Sequence, residues 1–164
     1  MSLQWGKGER VIKLNRDIPT ENKTLYLGGR IMKQKETYIK ILDTLFTPFV
    51  YFLDSEYFPV KLPIIQPIID KIKSGKWVKN IHDCDNFAFA FKGEMDSVNN
   101  ASGVVIGWHW TPQGNVFDQI KAFKKGGWHA WNCVLIEDKV TQLEPQTGKI
   151  FERKFGYLPV LVII

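Results

Sequence analysis

The hydrophobic pattern of this chain changes its period near residue 100, and that change limits the fold more than any other feature. Before it, apolar residues recur at helical spacing, as the isoleucines of segment 63–74 do. After it, apolar and polar residues alternate in short runs bounded by turn residues, which is typical of strands. Helices first and an antiparallel meander afterwards predict an α+β domain.

The boundaries of these elements follow from the pattern and its breakers. Helices are predicted at three places, which are 36–58 with a break near Pro48, 63–74 and 84–96. Strands are predicted at five places, which are 103–110, 128–136, 140–144, 149–151 and 158–164. Residues 111–127 are predicted to form a loop that could include a short helix. Residues 1–35 are predicted to form short strands or an extended arm.

The length of 164 residues predicts one domain, 1–164, with a functional core over 80–150. A hydrophobic fraction of 45% and a charged fraction of 24% exclude a disordered tail, a collagen-like fibre and a coiled coil. No apolar run approaches the roughly 20 residues that cross a bilayer, so no membrane partner is expected. The first residues lack the apolar stretch of a secretory signal, and a cytoplasmic location is expected.

The positive charge lies in the first half of the chain. The formal net charge is +5, with 14 Lys/Arg against 8 Asp/Glu in residues 1–82 and 8 against 9 in residues 83–164. The basic residues are scattered along the sequence, and no known nucleic-acid-binding motif accompanies them. This distribution argues against a nucleic-acid partner.

The two cysteines, Cys84 and Cys133, are too few for a disulfide framework. Two free thiols are at least as consistent with the sequence as one bridge. Cys133 lies in a predicted core strand, where a cysteine commonly packs as a small hydrophobic residue. Cys84 can also be such a residue, but it stands at a predicted helix start, where the macrodipole favours a thiolate.

Three short stretches could carry chemistry: Asp-Cys-Asp-Asn-Phe-Ala from 83, His-Ala-Trp-Asn from 129 and Glu-Pro-Gln-Thr-Gly from 144. His129 lies early on a strand and could accept a proton from Cys84. Glu144 lies on the strand that returns from it, within about two positions of His129, so the two side chains can meet. A carboxylate there could orient the imidazole, as an activated nucleophile requires.

In this order, the three stretches resemble papain-like and transglutaminase-like cysteine enzymes. The residues of the three stretches are most similar to those of the cysteine-protease domain at the C-terminus of the mushroom agglutinin and of related phage and bacterial proteins. The resemblance implies a papain-like fold, with helices packed on an antiparallel sheet and the nucleophile at a helix N-terminus. It also implies a Cys84–His129–Glu144 triad in a thiol hydrolase or acyl transferase that acts on the amide bonds of a peptide or protein substrate.

An enzyme of this kind needs an oxyanion hole and a groove. The Cys84 backbone N–H would be one oxyanion donor, and Asn80 and Trp77 are candidates for the second. Trp128 and Trp131 could line a substrate groove, although aromatic residues in strands often fill the core instead.

A second function class stays open, a non-enzymatic phage-type accessory or binding module on a papain-like scaffold. No cofactor is expected. A divalent cation remains open, because four carboxylates offer oxygen ligands without a loop signature: Asp83, Asp85, Asp96 and Asp118. A zinc site from His82, Cys84, His109 and His129 lacks the spacing of established sites. The sequence does not indicate an oligomeric state.

Overall fold

The computed structural model describes residues 31–47, 49–76, 83–152 and 155–164. Within these ranges the helices are α1 (Gln34–Leu45), α2 (Leu62–Lys73), α3 (Cys84–Val98) and α4 (Val116–Lys124). The strands are β1 (Met32–Lys33), β2 (Val50–Tyr51), β3 (Glu56–Tyr57), β4 (Ser102–His109), β5 (Gly127–Ile136), β6 (Lys139–Glu144), β7 (Lys149–Phe151) and β8 (Tyr157–Ile163). The extended arm expected over 1–35 lies almost wholly outside the described residues, as does Pro48.

Six strands form the main sheet in the order β2-β8-β4-β5-β6-β7, and β1 pairs with β3 in a small second sheet. Strand β5 is central, pairing antiparallel with β4 from Ser102↔Val134 to His109↔Gly127 and with β6 from Asn132↔Leu143 to Ile136↔Lys139. The meander predicted from the sequence is therefore present.

The edge of the sheet corrects the predicted purely antiparallel arrangement of the papain-like fold. Strand β2 pairs parallel with β8, through Val50↔Val162 and Tyr51↔Ile163, so the sheet is mixed. The sequence predicts a broken helix across 36–58, but α1 ends at Leu45, where Phe46 adopts a left-handed conformation with φ 55°. Two-residue strands that pair with segments distant in sequence leave no periodic signal, which explains the error.

Helix α3 packs across the sheet because its start is fixed and one of its faces is apolar. A capping box closes its first turn: the Asp83 N–H donates to Asn86 Oδ1 at 3.2 Å, and the Asp83 carboxylate accepts the N–H of Asn86. Phe87, Phe91 and Met95 lie on the buried face at intervals of four residues.

One buried side chain locks α3 to the sheet. Asn132 is fully buried on β5, and its Nδ2 donates to the carbonyl of Ala88 in α3 at 2.9 Å and to that of Gly103 in β4 at 3.1 Å. A buried amide needs such partners. The interaction holds the start of α3 at a fixed height over β5, and this places the predicted functional residues.

Candidate functional site

His129 and Glu144 meet in the structure. The β5–β6 hairpin pairs Asn132 with Leu143, so Glu144 lies beside the first part of β5. His129 Nε2 and Glu144 Oε2 are 2.6 Å apart, and the two side chains are only 15% and 9% exposed. At this separation the pair makes a strong hydrogen bond, which fixes the orientation of the imidazole.

Aromatic rings enclose this pair. The Trp131 ring stacks on His129 with centroids 5.8 Å apart, and the Tyr157 hydroxyl donates to Glu144 Oε2 at 3.3 Å. The His109 ring lies 5.2 Å from that of His129 and 4.4 Å from that of Tyr157. Burial, together with the adjacent Glu144 carboxylate, raises the pKa of Tyr157, so its hydroxyl stays a donor throughout the neutral range.

Cys84, on helix α3, packs against Ala130, which is the residue after His129 on β5. It is half-buried at the first position of α3 and packs in an apolar cluster with Ala88, Ala130 and Ile106. Ala130 directly follows His129, and successive strand residues point to opposite faces of a sheet. No hydrogen bond joins the sulfur to the His129 ring in the described structure. The structure therefore brings His129 and Glu144 together, while Cys84 packs in the cluster around Ala130.

Acidic groups surround the start of α3. Asp85 is exposed, and hydrogen bonding with Asp83 holds the pKa of Asp85 below its usual range. Asp85 is therefore a carboxylate at neutral pH, an acceptor for a ligand that carries hydroxyl or amide donors.

The second cysteine has the structural role predicted for it. Cys133 is 1% exposed, and burial raises the pKa of its thiol to about 12. Its sulfur packs against the backbone of Gly103, so it does not face solvent.

The two predicted groove tryptophans differ in their surroundings. Trp131 is fully buried, and its Nε1 donates to Gln142 Oε1 at 2.8 Å. Trp128 is 65% exposed, and its ring meets that of Trp108 edge-on with centroids 5.9 Å apart. Trp108 is fixed in turn because its Nε1 donates to the carbonyl of Phe123 at 2.9 Å. In this conformation only Trp128 of the two can contact a ligand.

Trp77 and Asn80, the candidates for an oxyanion donor, and His82 of the zinc alternative lie outside the described residues. No group of three or more metal-ligating side chains occurs in the described ranges. Asp96, considered above for a cation, forms an ion pair with Lys92 at 3.0 Å, and Asp118 accepts from the Asn115 N–H in the cap of α4.

Sequence reasoning left room for a short helix within 111–127 but missed the exposed surface that α4 forms there. Val116, Phe117 and Ile120 are all exposed. A signal was present, since Asn115 followed by Asp118 three residues later has the form of a capping box at a helix start.

Comparison with known families gives a match over most of the chain. The model of the ricin-type beta-trefoil lectin C-terminal domain matches residues 45–164. Among curated proteins, no sequence matches this chain.

Two solved structures share the fold. One is described as a PSL1a–E64 complex, with a TM-score of 0.60 and 21% identity, covering 82% of this chain and 51% of that one. The other is the Polyporus squamosus lectin bound to the epitope Neu5Acα2-6Galβ1-4GlcNAc, with a TM-score of 0.60 and 22% identity, covering 82% of this chain and 49% of that one. The chain thus spans about half the length of these structures.

These findings overturn the predicted kinship with papain-like and transglutaminase-like cysteine enzymes and with phage-related hydrolases. The family that matches is a lectin domain, and the solved structures that share the fold include a lectin, so the assignments as thiol protease and as papain-like fold are corrected. The error has a physical source: a cysteine at a helix start, a histidine on a strand and an acid on the next strand can also be packed as core and buried polar residues. The chain belongs to the family of ricin-type beta-trefoil lectin C-terminal domains.

Proposed function

We propose that this chain is a non-enzymatic recognition module that binds a glycan, with Trp128 as the surface on which a sugar ring stacks. The observation that carries the proposal is the exposed indole of Trp128, held in one orientation by Trp108. A large exposed ring that already packs against a second ring loses less conformational entropy when it binds than a ring without such a contact. Membership of a lectin family and the glycan in the Polyporus squamosus lectin structure support this choice of ligand.

Polar groups lie on the same side of the sheet as the indole. Trp128 and Ala130 point to the same face of β5, because side chains of alternate residues share a face. Ala130 packs with Cys84 at the start of α3, so the first turn of this helix, with the exposed Asp85 and Asn86, lies on this side of the sheet. A sugar stacked on Trp128 can donate hydroxyl hydrogens to these oxygens.

The charge at this end of the site favours a neutral sugar. Asp85 is exposed, and its lowered pKa keeps it ionised at neutral pH. A carboxylate on the ligand would be repelled by Asp85, whereas a hydroxyl could donate a hydrogen bond to it. On this proposal the His129–Glu144 pair holds the start of β5 in place beneath the site and performs no chemistry.

The test is titration of the chain with Galβ1-4GlcNAc and with Neu5Acα2-6Galβ1-4GlcNAc, followed by calorimetry. The neutral disaccharide is expected to bind more tightly than the sialylated one. W128A is expected to weaken binding about two- to tenfold, the range of one aromatic stacking contact. D85N is expected to reduce the preference for the neutral sugar.

The matched control is F89A, which removes another exposed aromatic ring, 52% exposed, from α3. F89A and E144Q should leave the affinity within about twofold, although E144Q lowers the melting temperature because it weakens a buried hydrogen bond. Equal affinity of wild type and W128A would refute the stacking role. Turnover of a peptide or amide substrate that disappears in C84A would contradict the non-enzymatic role.

A further inference from the structure

We propose that the outer face of α4 docks on an anionic membrane surface. None of the residues that define this face belongs to the glycan site proposed above, and the inference does not depend on that site. It is defined by Val116, Phe117 and Ile120, together with Lys121 and Lys124.

Helix α4 carries its large apolar side chains on the outside. Val116 is 73% exposed, Phe117 75% and Ile120 49%, whereas the buried residue of the helix is the small Ala122. At 100° per residue, the three apolar side chains and Lys124 fall within one arc of about 100°. An amphipathic helix normally buries this arc, so α4 presents a contiguous apolar surface that a partner can cover.

The helix is fixed well enough to act as a platform. Asn115 Oδ1 accepts the N–H groups of Phe117 at 3.0 Å and Asp118 at 3.2 Å, which closes the first turn. At the other end, the Phe123 carbonyl accepts from Trp108, and the Phe123 ring lies 5.1 Å from that of Trp110. The outward orientation of the apolar arc is therefore built into the fold.

The positive charge beside this apolar arc indicates which kind of surface would bind it. Lys121, Lys124 and Lys125 are exposed, and none of them forms an ion pair with an acidic side chain in the described part of the chain. The acid of the helix, Asp118, is directed to the N-terminal cap. Apolar side chains that can enter the headgroup region, flanked by lysines, match an anionic lipid surface.

Such a contact differs from a spanning segment. None of the described helices is long and apolar enough to cross a bilayer. Helix α4 has nine residues, so it would lie in the plane of the interface.

The experiment is cosedimentation of the full chain with vesicles of phosphatidylcholine alone and with added phosphatidylserine. The chain is expected to bind the anionic vesicles and to be released by salt. The double variant F117S/I120S should lower the partition coefficient at least tenfold, and K121Q/K124Q/K125Q should do the same for anionic vesicles. The matched control I39S/L42S removes two apolar side chains of α1 that are 48% and 36% exposed, and should bind as wild type does.

Three results would overturn the proposal. The first is absence of wild-type binding, as expected if another segment of the chain covers α4. The second is equal binding to neutral and anionic vesicles. The third is a concentration-dependent dimer in analytical ultracentrifugation that F117S/I120S abolishes, because that result would assign the face to a second copy of the chain.

Discussion

The burial of Cys133 predicts a large and specific difference in thiol reactivity. When the native protein is treated with iodoacetamide, we expect Cys84 to be alkylated while Cys133 stays unmodified. Alkylation requires the thiolate, and the two thiols differ in access to reagent, since Cys84 is half-buried and Cys133 is 1% exposed.

The magnitude follows from the pKa of the Cys133 thiol, which burial raises from 9.0 to about 12. At about pH 8 the thiolate fraction falls from about one in ten for an ordinary thiol to about one in ten thousand for the buried one. Protonation alone therefore slows alkylation of Cys133 about a thousandfold relative to the unfolded chain. Steric exclusion of the reagent adds to this factor.

The assay is a time course of alkylation with peptide mapping by mass spectrometry, in native buffer and in concentrated urea. Urea provides the internal control, because both thiols are then exposed and should react at similar rates. A native rate for Cys133 within about tenfold of its rate in urea would show that the packing around this strand is wrong.

Four further predictions concern the sheet and its contacts with α3. N132A should lower the free energy of unfolding by at least about 1–3 kcal/mol in urea titrations, because two carbonyls lose a buried donor; an unchanged midpoint would show that this amide does not fix α3. G107A should cost at least about 1–3 kcal/mol, since an added Cβ would clash with the backbone carbonyl of Leu158 and with the Trp131 ring, and unaltered stability would refute that close packing. G93A is its counterpart in open space, where an added Cβ meets nothing within 4 Å; it should stabilise the exposed helix by about 0.5–1 kcal/mol, and a loss of stability would contradict the position of this residue. Native Tyr157 keeps its proton to higher pH than an unfolded tyrosine, so stability is full below the unfolded pKa of about 10 and falls above it; thermal melts from neutral to alkaline pH should show a smaller fall for Y157F, and identical profiles would argue against burial of the hydroxyl.

The sequence predicts the local elements of the second half of the chain well. The helix predicted over 84–96 is Cys84–Val98, and the strand predicted over 128–136 is Gly127–Ile136. These elements have strong periodic patterns and clear caps or turns, which are local properties of the sequence. The contact of His129 with Glu144 follows from the same reasoning, since the register of a short hairpin is set by its turn.

The remaining errors concern long-range pairing and kinship. The parallel pairing of β2 with β8 joins segments more than 100 residues apart, and no local pattern encodes it. The assignment to cysteine enzymes relied on residue types at three positions, and residue types do not specify function when the same side chains can be packed. The exposed apolar arc of α4 was missed because periodicity reports an amphipathic helix and not the side that the fold covers.

The two ends of the main sheet have a consequence for how copies of this module behave when crowded. One outermost strand, β2, has two residues, and the other, β7, has three. Among the described residues, outermost strands of this length offer a neighbouring molecule few backbone donors and acceptors of their own from which strand exchange or fibril growth could begin. Short outermost strands of this kind limit edge-to-edge association where many copies of the module lie at high local density.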